Sequence, residues 1–139
     1  MKMEDTPNLK FFIVDDDPFY RMLYRQHLIN LGFKNNILFD NGSDCIDNIS
    51  EQPDIILVDY NMLPCNGIEV IQKVKQDQPG IFMVLISSQT DTGIVDKAKK
   101  SGAFDYIVKG EKDLEMISNS IKKIIKRKEL IRASIGCLA

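Results

Sequence analysis

Acids, a hydroxyl and a lysine stand directly after apolar runs in this chain. Leu9–Val14 runs into Asp15-Asp16-Asp17, and Ile55-Ile56-Leu57-Val58 ends in Asp59. Ser87 follows Ile81–Ile86, and Lys109 follows Tyr106-Ile107-Val108. Short apolar runs bounded by breakers read as buried strands of a parallel sheet. Ligands of such sheets meet the carboxyl ends of the strands, so all of these groups converge on one edge. Carboxylates that close repel one another, and a divalent cation removes the conflict. Mg2+ (or Mn2+ in its place) takes one or two carboxylates, keeps several waters and bridges to phosphate oxygens. Lys109 would be a point charge for a phosphoryl group, and Ser87 would donate one more hydrogen bond. A carboxylate can itself be the nucleophile and become an aspartyl phosphate. Metal, lysine and hydroxyl would then stabilise the equatorial oxygens of an in-line transfer. The residues read as a site where Asp59 accepts a phosphoryl group.

Positioning them takes a regular alternation of strands and helices. After the strand Leu9–Val14, Asp17 can cap a helix that has Pro18 at its first position and runs to about Leu31. Phe19, Met22, Leu23 and Ile29 form its expected apolar face, and Gly32 its stop. Ile37-Leu38-Phe39 is a second strand, closed by the turn Asp40-Asn41-Gly42; Ser43 is the expected cap of a short helix that turns Cys45, Ile46 and Ile49 inward. Beyond the Asp59 strand, Gly67 opens a helix with Ile68, Ile71 and Val74 at helical spacing. A polar loop, Ser87 to Asp91, follows the fourth strand and leads to a helix holding Ile94, Val95 and Ala98. The last helix starts near Glu111 and carries Leu114, Ile117, Ile121 and Ile124 on one stripe. Five strands alternating with five helices imply a single doubly wound α/β domain, (βα)5, with its parallel sheet covered on both faces. The expected boundaries are a leader at 1–8, the domain at 9–128 and a helical extension or tail at 129–139. Ile131, Ile135 and Leu138 continue the apolar pattern into that last segment.

Composition narrows the function classes. A chain of 139 residues with 44% hydrophobic and 27% charged residues is that of one soluble globular domain. A net charge of −2 gives no global reason to expect binding to nucleic acid or to an anionic membrane. No apolar run is long enough to span a bilayer, and Met1-Lys2-Met3-Glu4-Asp5 has no apolar stretch behind it, so a cytoplasmic location is expected. Cys45, Cys65 and Cys137 match no zinc or redox spacing and read as small apolar residues. His27 is expected at a surface position of the first helix, and the basic stretch Lys122–Lys128 as a solvated helix face.

From about residue 9 to 126 the chain resembles a CheY-like receiver domain of a two-component response regulator. The acidic cluster before Pro18 resembles that family's metal-binding pair, and Asp59 stands eight residues before its characteristic glycine, here Gly67. Ser87 matches the hydroxyl position, Lys109 the lysine position and Tyr106 the aromatic switch position. The resemblance implies a flavodoxin-like fold with strand order 2-1-3-4-5. It implies Asp16 as the direct Mg2+ ligand, Asp15 acting mainly through water, and Asn61 contributing its backbone carbonyl. The Asn61 side chain and Gln89 would tune hydrolysis, and Ser88 is small enough to leave access to the phosphoryl group. A sensor histidine kinase or histidine phosphotransfer protein would be the donor. Phosphorylation would draw in Ser87, let Tyr106 rotate inward and change the surface of the fourth helix, fifth strand and fifth helix, which also suits a homodimer. No sequence remains after residue 139 for an output domain, so output is expected from another protein, another copy or a domain outside this sequence.

Two departures from the family pattern stand out. Proline falls five residues after Asp59, in Met62-Leu63-Pro64, where the family usually has it at four. Gly110 replaces the usual proline after the lysine. A cis bond before glycine costs about 3 kcal/mol, so a trans Lys109–Gly110 bond and a more mobile following loop are expected. Three other readings compete. The first is a degenerate receiver that binds proteins without taking phosphate. The second is a haloacid-dehalogenase-like phosphatase using Asp15-Asp16-Asp17, in which Phe19 stands where Thr or Val is wanted. The third, a flavodoxin-like electron carrier, would have three aspartates repelling the flavin phosphate.

Overall fold

The apolar runs become β1 (Lys10–Val14), β2 (Asn35–Phe39), β3 (Ile55–Asp59), β4 (Phe82–Ser87) and β5 (Ala103–Val108) in the computed structural model, which describes residues 6–138. Between and after them lie α1 (Pro18–Leu31), α2 (Gly42–Asp47), α3 (Gly67–Asp77), α4 (Thr92–Ser101) and α5 (Asp113–Leu138), with a short 3-10 turn at Ile49–Glu51. All pairings are parallel, in the order β2-β1-β3-β4-β5. Register decides where the polar residues arrive. Val14 lies opposite Phe39 and Val58, Asp59 opposite Ile86, and Ser87 opposite Val108. The first residues beyond β1 and β5 therefore share one edge with the last residues of β3 and β4.

Alternation along the strands divides the core into two layers. Phe11, Ile13, Leu57, Val84 and Ile86 face α1 and α5, meeting Leu28, Leu31, Ile117, Ile121 and Ile124. Phe12, Val14, Ile56, Val58, Met83 and Leu85 face the other way, against Cys45, Ile68, Val70, Ile71, Val74 and Ala98. Every residue of β3 is buried, as its unbroken apolar run requires.

Several local expectations need correction. The first helix is rotated from its expected face: Tyr24, Leu28 and Leu31 point inward, while Phe19 and Met22 are 64% and 53% exposed. The cause is a buried hydrogen bond of 2.9 Å from the Tyr24 hydroxyl to Asp113 Oδ2. It satisfies the phenol and makes its burial favourable. His27 is not a simple surface residue. It is half-buried between α1 and α5, hydrogen-bonded with Ser118 Oγ at 2.8 Å, and burial lowers its pKa. The cap of α2 is Asn41, whose side chain accepts from the Asp44 N–H at 2.8 Å, so the helix starts before Ser43. Gly42 lets α2 approach α3, since a Cβ there would lie 2.5 Å from Val70 Cγ2.

Asp17 caps α1 as expected, accepting from the Phe19 N–H at 2.9 Å. The Lys109–Gly110 bond is trans, and the cis bond among the described residues is Leu63–Pro64. Cys45 is buried, which pushes its thiol up to about 12, and Cys65 is half-buried. Residues 1–5 of the expected leader, and the side chains of Cys137 and Leu138, lie outside the described part. α5 continues as one helix past its buried stripe, leaving Leu130, Ile131 and Ile135 exposed. No described helix is long and apolar enough to cross a membrane.

Candidate functional site

The edge of the sheet gathers the acids first. Asp15 is buried just beyond β1, where its N–H donates to the Phe39 carbonyl at 3.1 Å and its Oδ1 accepts from the Asp17 N–H at 2.9 Å. Its own carbonyl accepts from Arg21 Nη1 at 2.7 Å. Asp16 is exposed beside it, and Asp59 closes β3 at 4% exposure. One ligand oxygen from each of the three lies within 4.8 Å of the other two.

Lys109 enters from the end of β5. Its N–H donates to the Ser87 carbonyl at 2.9 Å, which ties the ends of β4 and β5 together. Its Nζ reaches Asp15 Oδ2 at 2.9 Å and Asp59 Oδ1 at 3.2 Å. Burial alone would lower the lysine pKa, but the Asp15 hydrogen bond and the charges of Asp15 and Asp59 outweigh it and hold the ammonium above its ordinary range. The carboxylates also shift upward, which for an acid favours the neutral form. Burial, then the Asp15 charge, pushes Asp59 up to about 6 against the pull of Lys109, and Asp15 is also raised by burial. Asp59 Oδ1 is buried with no hydrogen bond among the described residues; the neighbouring ammonium is its one charged partner.

These features test whether a metal fits. The donors are hard oxygens, three carboxylates cluster, and one buried oxygen lacks a hydrogen bond. Hard divalent cations bound through carboxylate and water suit that set. Gly67 explains how the chain leaves β3 without blocking it: its N–H donates to the Tyr60 carbonyl at 3.0 Å. A Cβ there would lie 2.5 Å from Asp59 O and 2.6 Å from Leu85 Cδ1, so α3 can begin this close only with glycine. Asn66 and Glu69 complete a reciprocal capping box at that start.

The remaining expected residues converge on the loop after β4. Ser87 is fully buried, and its Oγ accepts from the Gln89 N–H at 3.0 Å. Tyr106 is half-buried, with its hydroxyl donating to the Gln89 carbonyl. Asn61 Nδ2 lies 3.4 Å from Ser88 Oγ, and Gln89 Nε2 lies 3.4 Å from Asn61 Oδ1. Ser87 and Tyr106 are thus joined through one residue, and Asn61, Ser88 and Gln89 form the exposed rim.

One neighbour of the site is absent from the sequence reading. The Tyr20 ring lies under Lys109, its centroid 3.9 Å from Nζ. The proximity of Tyr20 to the acidic run is visible in the sequence; its proximity to Lys109 follows only from the packing of α1 against the sheet.

Comparison with known proteins agrees with this fold. The family profile described as "Response regulator receiver domain" matches residues 11–130. The chain is 31% identical over 101 residues to the chemotaxis protein CheY of Thermotoga maritima, covering 72% of this chain and 84% of that one. It is 31% identical over 126 residues to the DNA-binding response regulator MtrA of Mycolicibacterium smegmatis, covering 90% of this chain and 54% of that one. It spans 26% and 35% of the length of two further relatives. A CheY-like receiver domain structure from Methanospirillum hungatei superposes with a TM-score of 0.80 at 18% identity, covering 88% of this chain and 98% of that one.

Proposed function

The chain belongs to the response regulator receiver domain family, a family of signalling domains, and from that premise we propose that Asp59 is its phosphoacceptor. The observation that carries this reading is the setting of Asp59. It is buried at the end of the central strand, against an ammonium at 3.2 Å, with an oxygen that lacks a hydrogen bond. A phosphohistidine of a sensor kinase or histidine phosphotransfer protein is the proposed donor. A carboxylate oxygen of Asp59 forms the new P–O bond as the donor's P–N bond breaks, and the imidazole leaves. Lys109 stays protonated throughout and hydrogen-bonds a phosphoryl oxygen in place of its Asp15 or Asp59 contact. Asp16, Asp59 and the Asn61 carbonyl would hold Mg2+ directly, with Asp15 acting mainly through water. The bound cation would supply positive charge for the phosphoryl oxygens.

Switching uses Ser87 and Tyr106. Both already bond to Gln89, so turning Ser87 Oγ toward a phosphoryl oxygen would free the Gln89 N–H and disturb the carbonyl that holds Tyr106. The α4-β5-α5 surface, of which Tyr106 is part, would carry the result to a partner or a second copy. Asn61, Ser88 and Gln89 would set how fast water reaches the aspartyl phosphate. The donor, the output partner, the cytoplasmic setting and the division into domain (9–128) and extension (129–139) belong to the same proposal.

The test is intact mass after incubation with Mg2+ and a small-molecule phosphodonor, with Asp59→Ala in parallel. A gain of one phosphoryl group by the unaltered chain alone supports the reading. No gain, with Mg2+ binding shown separately, would make the chain a receiver that signals without phosphate.

A further inference from the structure

We propose that Tyr20 is a positioning residue for Lys109, holding its ammonium over the acid cluster with the face of its ring. The inference rests on the reading of Lys109 given above, and it concerns what keeps that side chain in place.

Lys109 Nζ lies against three groups: Asp15 Oδ2 at 2.9 Å, Asp59 Oδ1 at 3.2 Å, and the Tyr20 ring at 3.9 Å. Two of the three belong to the carboxylate cluster. Whatever those carboxylates later bind, metal or phosphoryl group, they will be drawn from the ammonium. Tyr20 is the neighbour that has no such competing claim. An aromatic face attracts a cation without supplying an oxygen, and the attraction grows when the cation is desolvated, as this largely buried ammonium is.

The backbone gives Lys109 less help. Its N–H is tied to Ser87, but Gly110 follows, and a Cβ added to Gly110 would meet nothing within 4 Å. The three residues after Lys109 are exposed, and the first buried side chain beyond them is Asp113. Tyr20, in contrast, is well braced. It sits in the first turn of α1 behind the Asp17 cap, packs edge-on to Phe19 at 5.2 Å and lies 5.7 Å from the Tyr24 ring. Tyr24 is in turn anchored to Asp113. The ring can therefore hold the ammonium instead of following it.

Protein with 13C-labelled lysine provides the direct test, with the Lys109 signal assigned by its loss in Lys109→Arg. Methylene protons above an aromatic face are shifted upfield. The Lys109 ε-protons should lie upfield of the other lysines in the unaltered chain and in Tyr20→Phe, and return to the ordinary position in Tyr20→Leu. At saturating Mg2+ and phosphodonor, Tyr20→Phe should be phosphorylated within about twofold of the unaltered rate. Tyr20→Leu should fall by roughly threefold to tenfold in maximal rate, with the half-saturating donor concentration unchanged. An ordinary Lys109 signal in the unaltered chain overturns the proposal even if Tyr20→Leu does not fold. So does a Tyr20→Leu protein that reacts at the unaltered rate. An upfield signal in a chain that takes no phosphoryl group would support the contact and remove the phosphoacceptor reading instead.

Discussion

Asp59 occupies a place that its own charge resists. Burial and the Asp15 charge favour its protonated form, with its pKa pushed up to about 6 from 3.8. In the unfolded chain it ionises near the ordinary value, so between those two pH values the folded state holds the extra proton. The ionised folded form is therefore penalised, fully so above pH 6 and not at all below about 3.8. Asp59→Asn should stabilise the metal-free protein by about 1–3 kcal/mol in urea unfolding at pH 8. The gain should shrink toward zero as pH falls to about 4. The same carboxylate must be ionised to bind a cation, so Mg2+ affinity, followed by titration calorimetry, should rise as pH increases through 6 and level off above 7. A flat profile across that range would show that Asp59 titrates elsewhere. At this scale the sequence was informative wherever a residue stands at a strand end: Asp15, Asp16, Asp59, Ser87 and Lys109 all arrive on one edge. It was silent on Tyr20, Tyr24 and His27, whose partners Lys109, Asp113 and Ser118 are about 90 positions away and meet them only through helix packing.

Helix starts set how closely the site is walled. Gly67→Ala would drive a methyl group into the Asp59 carbonyl and the Leu85 side chain. We expect it to cost about 1–3 kcal/mol in thermal or urea unfolding and to weaken Mg2+ binding by displacing the end of β3. Unchanged stability would mean that α3 can shift outward freely. On α5 the apolar stripe has two fates. Ile124 is fully buried and Ile131 is exposed, so Ile124→Ala should cost about 2–5 kcal/mol and Ile131→Ala about 0.5 or less, measured by urea unfolding. Helix periodicity revealed the stripe of α5 and the inward face of α3, because each carries apolar residues on one side. It misplaced α1, which offers apolar residues on both sides: Tyr24, the one with a buried polar partner, determines the rotation. It also passed over Asn41 as the α2 cap, since a turn and a cap use the same residue types.

The alternation of strand and helix made the doubly wound α/β class legible, because parallel strands require crossovers, while the strand order rested on the family resemblance. The distribution of charge was not legible from a net value of −2. Asp15, Asp16 and Asp59 lie at the carboxyl edge of the sheet. Lys75, Arg127, Lys128 and Arg132 line a groove of about 510 Å³ at the opposite edge, with Phe82, Ile131 and Ile135 among its apolar walls. Lys128 is ion-paired with Asp54 at 3.1 Å, which ties α5 to the chain just before β3 and marks the end of its firm attachment. Removal of residues 129–139 should thus leave unfolding within about 1 kcal/mol of the full chain and Mg2+ binding unchanged. A larger loss would make the extension part of the folding unit. Mechanically, α5 is a lever. Its 26 residues make a rod about 39 Å long, whose first residue is held by the buried Tyr24–Asp113 bond beside the acid edge. A tilt of the whole packed helix by about 5° about that bond would shift Lys128 by roughly 2 Å against its Asp54 partner and carry Gly136 through roughly 3 Å, so an angular change too small to matter at the site becomes a measurable displacement at the far end.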